Sequence, residues 1–370
     1  MNIGILLPGF SSDEDDWAIP VQLNLVKEMA HKHDVRVIAL RYPHRKDTYQ
    51  IHGATVHSLG VGAWTRGFRR LKLWFDAIQL IKQLHKETPF DVLHAMWGDE
   101  TGLIAGWAGK QFGIPVVVSI AGGELVGFDD IDYGLQRSRF SKWIVGQALK
   151  HASAIVVACT YTRRLIAKAG YSIPNERIYT ISLGVDTSVF TSQPENQIPK
   201  RLIHVASLIG IKDQSTLLKA IAVLDDISVD IIGIGRDEQA LKTLARNLNI
   251  DHRVSFLGAI HHLELPKYYN RAQINLLTSR HEGLGMVTLE AGACGIATIS
   301  TSVGLLPDHP ELGMTVPVGD HQAMASAIQT LLNNPTQLQR LSDSAQKTTQ
   351  EKFSIQHTAS AFIKLYSTLN

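Results

Sequence analysis

Two glutamates separated by seven residues, Glu282 and Glu290, frame a segment that joins a glycine-rich turn to an apolar run. Upstream, residues 273–279 form a short apolar stretch that ends in small polar residues, which predicts a buried parallel strand. Downstream, residues 286–293 are helix formers, and the Cys-Gly pair after them is typical of a helix end. The glycines between strand and helix therefore lie at a helix N-terminus, where free N–H groups bind anions.

The two carboxylates add a second chemistry to this anion site. A carboxylate repels phosphate, but it accepts hydrogen bonds from the hydroxyl groups of a ribose or a sugar, as an acidic residue does in dinucleotide-binding folds. A phosphate cradle combined with two acceptors for hydroxyl groups predicts a nucleotide-sugar site.

Residues Glu282 to Gly295, with 296–300 after them, resemble the E-x7-E signature of family 4 retaining glycosyltransferases. The resemblance covers most of the chain, most clearly residues 202–304. It implies an α/β fold of the GT-B type, with two Rossmann-like, doubly wound domains facing a central cleft. It also implies a metal-independent enzyme that moves a sugar from a nucleotide-diphosphate sugar to an acceptor hydroxyl, in the synthesis of glycans, glycolipids or cell-surface polysaccharides.

Composition agrees with a two-domain enzyme, since the chain has 370 residues, 45% of them hydrophobic. A formal net charge of +2 gives no indication of nucleic-acid binding. The two cysteines lie in different halves and form no metal-ligand cluster, which indicates a reducing compartment. The N-terminus lacks a basic lead, and no apolar run approaches the roughly 20 residues of a spanning helix. We expect a cytoplasmic protein, with peripheral contact at the inner membrane face left open.

Short apolar runs alternate with helical patterns along the chain, which predicts parallel sheets covered on both faces. The polar, proline-bearing stretch 187–200 is the predicted linker between an acceptor domain at 1–186 and a donor domain at 201–352. An amphipathic tail at 353–370 is expected to return to the first domain, as it does in the family. The predicted strands lie at residues 3–7, 35–40, 92–94, 115–120, 154–158, 202–206, 229–233, 254–256, 274–277 and 297–301.

On the donor side, the resemblance assigns a role to each matching residue. Glu282 holds sugar hydroxyls and positions the reacting carbon, Glu290 binds ribose hydroxyls, and Lys212 neutralises the leaving diphosphate. Ser207 stands where many members have arginine, a departure for which Arg280 is a candidate to compensate. The remaining donor contacts expected are Gly283, Leu284, Gly285, Met286, Val287, Gly233, Leu257 and Gly258.

On the acceptor side, His94 resembles the family's histidine-bearing strand end. Ala121 occupies a place where many members carry a histidine, followed by a flexible Gly122-Gly123 pair. Glu124 has two open interpretations: a carboxylate that orients an acceptor hydroxyl, or a helix-start acid on the helix dipole. Gly9 follows the first strand, in the place of the family's glycine-rich loop.

Asp130-Ile-Asp132 spells a metal-binding Asp-x-Asp pattern, but it lies in a loop and no metal is expected. The segments 64–75 and 137–143 mix basic and aromatic residues, which suits an anionic membrane as well as an ordinary packed helix. The partners expected are a nucleotide-sugar donor and a glycan or lipid-linked acceptor. Two alternatives stay open: a nucleotide-sugar epimerase of the same architecture, and, because of Ala121 and Ser207, a non-catalytic sugar-nucleotide-binding protein.

Overall fold

A computed structural model describes residues 1–62 and 67–369. The chain divides into two compact units, Met1–Ser182 with residues 358–369, and Leu183–His357. The stretch 187–200, predicted as a linker, lies in the second unit. The domain bounds predicted from the sequence stay a prediction.

The first unit is built on an eight-stranded sheet. Its strands follow the order β3-β4-β2-β1-β5-β6-β7-β8, and every neighbouring pair is parallel except β3 and β4. The elements are β1 (Asn2–Gly9), α1 (Pro20–Ala30), β2 (Asp34–Tyr42), β3 (Lys46–Ile51), β4 (Ala54–Leu59), α2 (Phe68–Glu87), β5 (Val92–Ala95), α3 (Glu100–Phe112), β6 (Val116–Ile120), α4 (Arg139–His151), β7 (Ala154–Val157), α5 (Thr160–Lys168) and β8 (Ile178–Thr180).

The second unit contains a six-stranded, wholly parallel sheet in the order β11-β10-β9-β12-β13-β14. The last helix begins in this unit and lies mostly in the first. The elements are β9 (Arg201–Val205), α6 (Gln214–Ala222), β10 (Ser228–Ile232), α7 (Glu238–Asn247), β11 (Val254–Gly258), α8 (Leu265–Tyr269), β12 (Ile274–Leu277), α9 (Met286–Ala293), β13 (Ala297–Thr301), β14 (Gly313–Val316), α10 (His321–Leu332), α11 (Pro335–Lys352) and α12 (Ile355–Ser367).

The predicted strands are all present, and most of them are apolar runs whose side chains are buried on both faces of a sheet; β11, at the edge of the second sheet, is only partly buried. The strands β3, β4, β8 and β14 were not predicted. β3 alternates exposed, polar residues at the sheet edge, and β8 has only three residues, so neither has the continuous apolar run of a central strand. The expectation of parallel sheets is confirmed, with one exception at the edge of the first sheet, where β3 pairs antiparallel with β4.

Each unit has its own hydrophobic core between sheet and helices. In the first, Leu6, Ile38 and Leu103 are fully buried; in the second, Leu217 and Ile299 are. Among the described residues, no helix combines the length and apolar character that spanning a membrane requires.

Candidate functional site

The E-x7-E segment forms the connection from β12 to α9 in the second unit. Gly285 caps α9 with a left-handed backbone at φ +91°, a conformation that glycine adopts without strain. The loop after β13 packs closely against this connection, because a Cβ on Gly304 would lie 2.4 Å from the carbonyl oxygen of Leu284. The Met286 and Val287 amides begin α9, where the anion site is predicted, and the Thr288 amide donates to the Gly285 carbonyl at 3.0 Å.

Glu282 and Lys212 form an ion pair in this connection. Lys212 Nζ lies 2.5 Å from Glu282 Oε1, and the Ser279 hydroxyl donates to the same oxygen at 2.5 Å. The Glu282 side chain is 10% exposed and that of Lys212 is 23% exposed. Burial opposes ionisation of Glu282, but Lys212 and Ser279 together hold the pKa of this carboxyl below its ordinary value. The site therefore contains an ionised acid with a cation already beside it.

The loop that carries Lys212 is fastened to the Glu282 loop by two hydrogen bonds. The Thr278 hydroxyl donates to the Lys212 carbonyl at 2.9 Å, and the Arg280 amide donates to the Ile211 carbonyl at 2.8 Å. Asp213 then begins α6, with its carboxylate accepting from the Thr216 hydroxyl at 2.7 Å. The backbone of Arg280 thus contacts the Lys212 loop, and its role as a compensating cation stays a prediction.

Glu290 lies on α9 and is 5% exposed. Its Oε2 accepts a 2.8 Å hydrogen bond from the hydroxyl of Tyr269. Burial raises the pKa of the Glu290 carboxyl to about 7, although the Tyr269 hydroxyl favours the ionised form. Glu290 therefore exchanges its proton near neutral pH, unlike Glu282.

The ends of β9, β10 and β11 meet at one edge of the same sheet. The Gly233 amide donates to the Gly258 carbonyl at 2.8 Å, and a Cβ on Gly233 would lie 2.0 Å from the Ala206 carbonyl oxygen. Ser207 is exposed in this group of loops, and Leu257 is 37% exposed. Because the strands are parallel, their carboxyl ends lie on the same edge as the end of β12, where ligands bind in open α/β sheets.

The predicted acceptor residues lie in the first unit, and two of them contact protein rather than open surface. His94 is fully buried, with Nδ1 2.6 Å from the Tyr366 hydroxyl and Nε2 2.8 Å from the Ser119 hydroxyl. Burial lowers the pKa of His94 to about 3. Both ring nitrogens thus have partners, and we assign His94 to the packing of α12 instead of to an acceptor.

Glu124 is 2% exposed and accepts hydrogen bonds from the amides of Ala121 at 3.0 Å and Gly122 at 2.7 Å. Burial raises the pKa of its carboxyl despite these donors. The carboxylate thus holds the loop before it through the amides of Ala121 and Gly122, and both interpretations of Glu124 stay predictions. Gly9 lies against Tyr42, whose Cβ would be 2.7 Å from a Cβ at that position.

Tyr269 and Ser279 are functional candidates that the sequence did not single out. Ser279 lies three residues before Glu282, a local signal that could have identified it. Tyr269 has no such signal, because the packing of α8 on α9 brings it to Glu290 across 21 residues of sequence. Of the Asp-x-Asp pattern, Asp132 pairs with Arg137. Among the described residues, no three His, Cys, Asp or Glu side chains are grouped so that they could hold a metal ion.

Comparison with known families gives two adjoining matches. The profile described as Glycosyl transferases group 1 matches residues 186–348, and the profile described as Glycosyl transferase 4-like domain matches residues 19–184.

Individual proteins are similar at lower identity. The chain is 27% identical over 208 residues to N-acetyl-alpha-D-glucosaminyl L-malate synthase of Bacillus anthracis, a match to 52% of this chain and 54% of that protein. It is 27% identical over 208 residues to the GDP-mannose-dependent alpha-(1-6)-phosphatidylinositol monomannoside mannosyltransferase of Mycolicibacterium smegmatis, covering 50% and 54% of the two chains. The chain thus spans about half the length of these relatives.

A solved structure matches over the whole chain. It is that of Anabaena HepE in complex with UDP and glucose, which covers 100% of both chains with a TM-score of 0.77 at 16% identity. At this identity, the likeness concerns the fold alone, and that fold is GT-B.

Proposed function

The chain belongs to the group 1 glycosyltransferases, and from this premise we propose that it transfers a sugar from a nucleotide-diphosphate sugar to an acceptor hydroxyl with retention of configuration. The observation that carries the proposal is the ion pair of Lys212 and Glu282 beside the N-terminus of α9. Sugar hydroxyls, phosphate oxygens and a leaving group that gains negative charge each have a partner of suitable chemistry there.

Donor binding redistributes the charges of the ion pair. The diphosphate takes hydrogen bonds from the first amides of α9 and draws the ammonium of Lys212, while Glu282 accepts from the sugar hydroxyls in exchange. In the transition state, the leaving diphosphate gains charge, and a cation held in a buried site stabilises it more than water would. The bond from the anomeric carbon to the diphosphate breaks, a bond to the acceptor oxygen forms, and the departing phosphate takes the acceptor proton. Placement of the reacting carbon beside the acceptor supplies the rest of the rate. Glu290 binds the ribose hydroxyls.

The names of the relatives support a nucleotide-sugar donor, and they include a lipid acceptor as well as a small molecule, L-malate. One relative uses GDP-mannose and acts on a phosphatidylinositol mannoside, whereas the structural neighbour holds UDP and glucose. We propose a hexosyl donor and leave its base open, because neither Leu257 nor Gly258 at the end of β11 offers a side chain that reads it.

The test separates this function from its alternatives with one donor panel. UDP- and GDP-hexoses are offered with and without acceptors, and a product that requires the acceptor and retains configuration is expected. Isomerised donor without acceptor would instead identify an epimerase, and binding without any turnover a non-catalytic protein.

Glu290→Ala should weaken nucleotide binding by roughly 1.5–3 kcal/mol, the value of a hydrogen bond to a charged group. Unchanged affinity would refute the ribose assignment.

A surface of the first unit supports peripheral contact with an anionic membrane. Three side chains of one face of α2 are exposed: Phe68 by 82%, Leu71 by 56% and Phe75 by 62%. On α4, Phe140 and Trp143 are 48% and 43% exposed, with ring centroids 5.9 Å apart. We call these five side chains the aromatic surface. Of the basic-aromatic segment predicted here, Trp64 and Arg66 lie outside the described residues.

The aromatic surface is held in place by Arg70 and is bordered by exposed cations. The Arg70 guanidinium lies 4.9 Å from the Phe140 ring centroid and pairs with Glu100, so it links α2, α3 and α4. Exposed cations lie beside the apolar side chains on both helices: Arg69, Lys72, Arg139 and Lys142. Apolar side chains ringed by cations fit a bilayer whose headgroups are negatively charged. We propose that this surface brings the enzyme to a lipid-linked acceptor at the inner membrane face.

A further inference from the structure

Tyr269 connects two helices of the second unit through a single buried contact. It is fully buried at the end of α8, and its hydroxyl donates to Oε2 of Glu290 on α9 at 2.8 Å. The two side chains are 21 positions apart in sequence, so the folding of the second unit brings them together. A buried tyrosine hydroxyl needs a partner, but a backbone carbonyl would serve as well. Its pairing with a predicted ligand-binding acid is therefore informative.

The position of Tyr269 is itself fixed by the chain before β9. The ring of Phe190, which is 1% exposed, packs against Tyr269 with centroids 6.1 Å apart. The next residue, Asn270, accepts from the Gln193 amide at 2.6 Å and donates to the Thr191 carbonyl at 2.9 Å. α8 is thus fastened on both sides of the tyrosine, and the hydroxyl has little freedom to move.

One hydrogen bond from a fixed donor restricts a carboxylate that would otherwise rotate. A carboxylate offers about four lone-pair sites on its two oxygens. With Oε2 accepting from Tyr269, the second oxygen, Oε1, keeps its acceptor capacity for a ligand. We propose that Tyr269 is a positioning residue, which holds Glu290 so that Oε1 meets the ribose hydroxyls of the nucleotide. This inference rests on the proposed function, since it names what orients the ribose-binding acid.

The hydroxyl also affects the charge of the acid. Burial raises the pKa of Glu290, and the donated hydrogen bond from Tyr269 acts in the opposite direction. The titratable groups that interact with Glu290 are Tyr269 on α8 and Cys294, which follows α9 and whose own pKa is raised by burial and by this carboxylate. Without the hydroxyl, the carboxyl is protonated up to a higher pH, and a neutral acid is a poorer acceptor for ribose.

The experiment compares Tyr269→Phe with the parent by calorimetric binding of UDP and GDP and of their 2′,3′-dideoxy counterparts between pH 6 and 9. We expect about 3- to 10-fold weaker binding of the ribonucleotide that the parent prefers, the loss of one buried hydrogen bond. The dideoxy nucleotide should bind both proteins equally. The pH below which ribonucleotide affinity falls should move upward in the variant.

Two further variants separate positioning from packing. Tyr366→Phe removes another fully buried tyrosine hydroxyl, which contacts His94 in the first unit, and it should change neither nucleotide affinity nor its pH profile. In a Glu290→Gln background, adding Tyr269→Phe should no longer weaken ribonucleotide binding more than it weakens binding of the dideoxy nucleotide. Equal loss of both nucleotides in Tyr269→Phe, or an unshifted pH profile, would overturn the inference. A parent that binds no nucleoside diphosphate would overturn the proposed function itself, a result that is distinct from these.

Discussion

Lys212 Nζ lies 2.5 Å from Glu282 Oε1, so the cation and the acid predicted to act on the donor neutralise each other in this structure. Neither group is desolvated alone, which would be costly for a charge in a mostly buried site. A donor that offers phosphate to one and hydroxyls to the other replaces the pair with two new pairs. The ion pair therefore keeps both side chains in place between turnovers.

Removing the cation should affect both activity and stability. Lys212→Ala leaves Glu282 as a mostly buried carboxylate without a counter-ion, and we expect a loss of about 1–3 kcal/mol in the free energy of unfolding at neutral pH, the cost of a buried group that loses its partner. Turnover should fall much further than the folded fraction, because the leaving diphosphate loses its cation. Chemical denaturation and steady-state assays at saturating donor measure the two effects.

The double variant Lys212→Ala with Glu282→Gln distinguishes the two effects. It removes the uncompensated charge, so stability should return towards that of the parent. Turnover should stay below that of the single variant Glu282→Gln, which also lacks the acid that holds the sugar hydroxyls. Recovery of turnover together with stability would mean that Lys212 acts on the fold and not on the diphosphate.

Chelation should leave activity unchanged. The negative charge of the diphosphate is met by Lys212 and by the amides that begin α9, so the proposed chemistry requires no ion. The assay is repeated with EDTA after extensive dialysis. If activity disappears and either magnesium or manganese restores it, a metal neutralises the diphosphate, and the rejection of Asp130 and Asp132 as ligands is wrong.

The buried acid Glu290 should make stability depend on pH in an unusual direction. Its pKa is about 7 in the folded chain and 4.5 in its ordinary state. Below pH 4.5 both states are protonated and the group contributes nothing. Between pH 4.5 and 7 the unfolded chain ionises first, so stability falls, and above pH 7 the loss is complete.

Glu290→Gln removes this penalty. We expect the ligand-free variant to be more stable than the parent by about 3 kcal/mol at pH 8 and equally stable near pH 4, since one pKa unit corresponds to about 1.4 kcal/mol. Urea unfolding at the two pH values measures the difference. The variant Glu311→Gln is a contrasting control. Burial raises the pKa of the Glu311 carboxyl, but His309 and Lys352 lower it further, so replacing Glu311 should reduce stability at pH 8. A Glu290→Gln protein that is less stable at pH 8 would contradict the buried, high-pKa state.

The strand, turn and helix around E-x7-E were predictable because each depends on local sequence. β12 and α9 have the predicted bounds, since an apolar run, a glycine turn and a Cys-Gly end are adjacent in the chain. The meeting of Lys212 with Glu282 was predictable only as the meeting of two strand ends in a parallel sheet. That they form an ion pair without donor depends on side-chain geometry.

The contacts that redefine individual residues are distant in sequence and have no local pattern. His94 meets Tyr366 across 272 residues, so its burial could not be inferred from its own strand. Tyr269 reaches Glu290 only through packing of α8. Glu124 differs from these two residues, because its partners, the amides of Ala121 and Gly122, are close in sequence. The sequence alone allowed its carboxylate to be exposed towards an acceptor or bound to nearby amides.

The aromatic surface should bind anionic vesicles through its cations. Changing Arg69, Lys72, Arg139 and Lys142 to glutamine should release the protein from vesicles of mixed phosphatidylcholine and phosphatidylglycerol, at about 1 kcal/mol for each charge. Arg70 is kept, because it pairs with Glu100 and its removal would disturb the fold. Transfer to a water-soluble acceptor should survive. Sedimentation with vesicles at low and high salt measures binding.

A matched control removes four exposed cations of the second unit: Lys219, Arg246, Arg340 and Lys347. This variant has the same net charge as the first and should still sediment with vesicles if the location of the charges decides binding. Equal release of both variants would mean that net charge alone attracts the protein.

A second change, Phe68 and Phe75 to serine, should weaken binding at high salt, where the cations are screened and the apolar contribution is left. A parent that does not bind at low salt would refute membrane docking and favour a soluble acceptor.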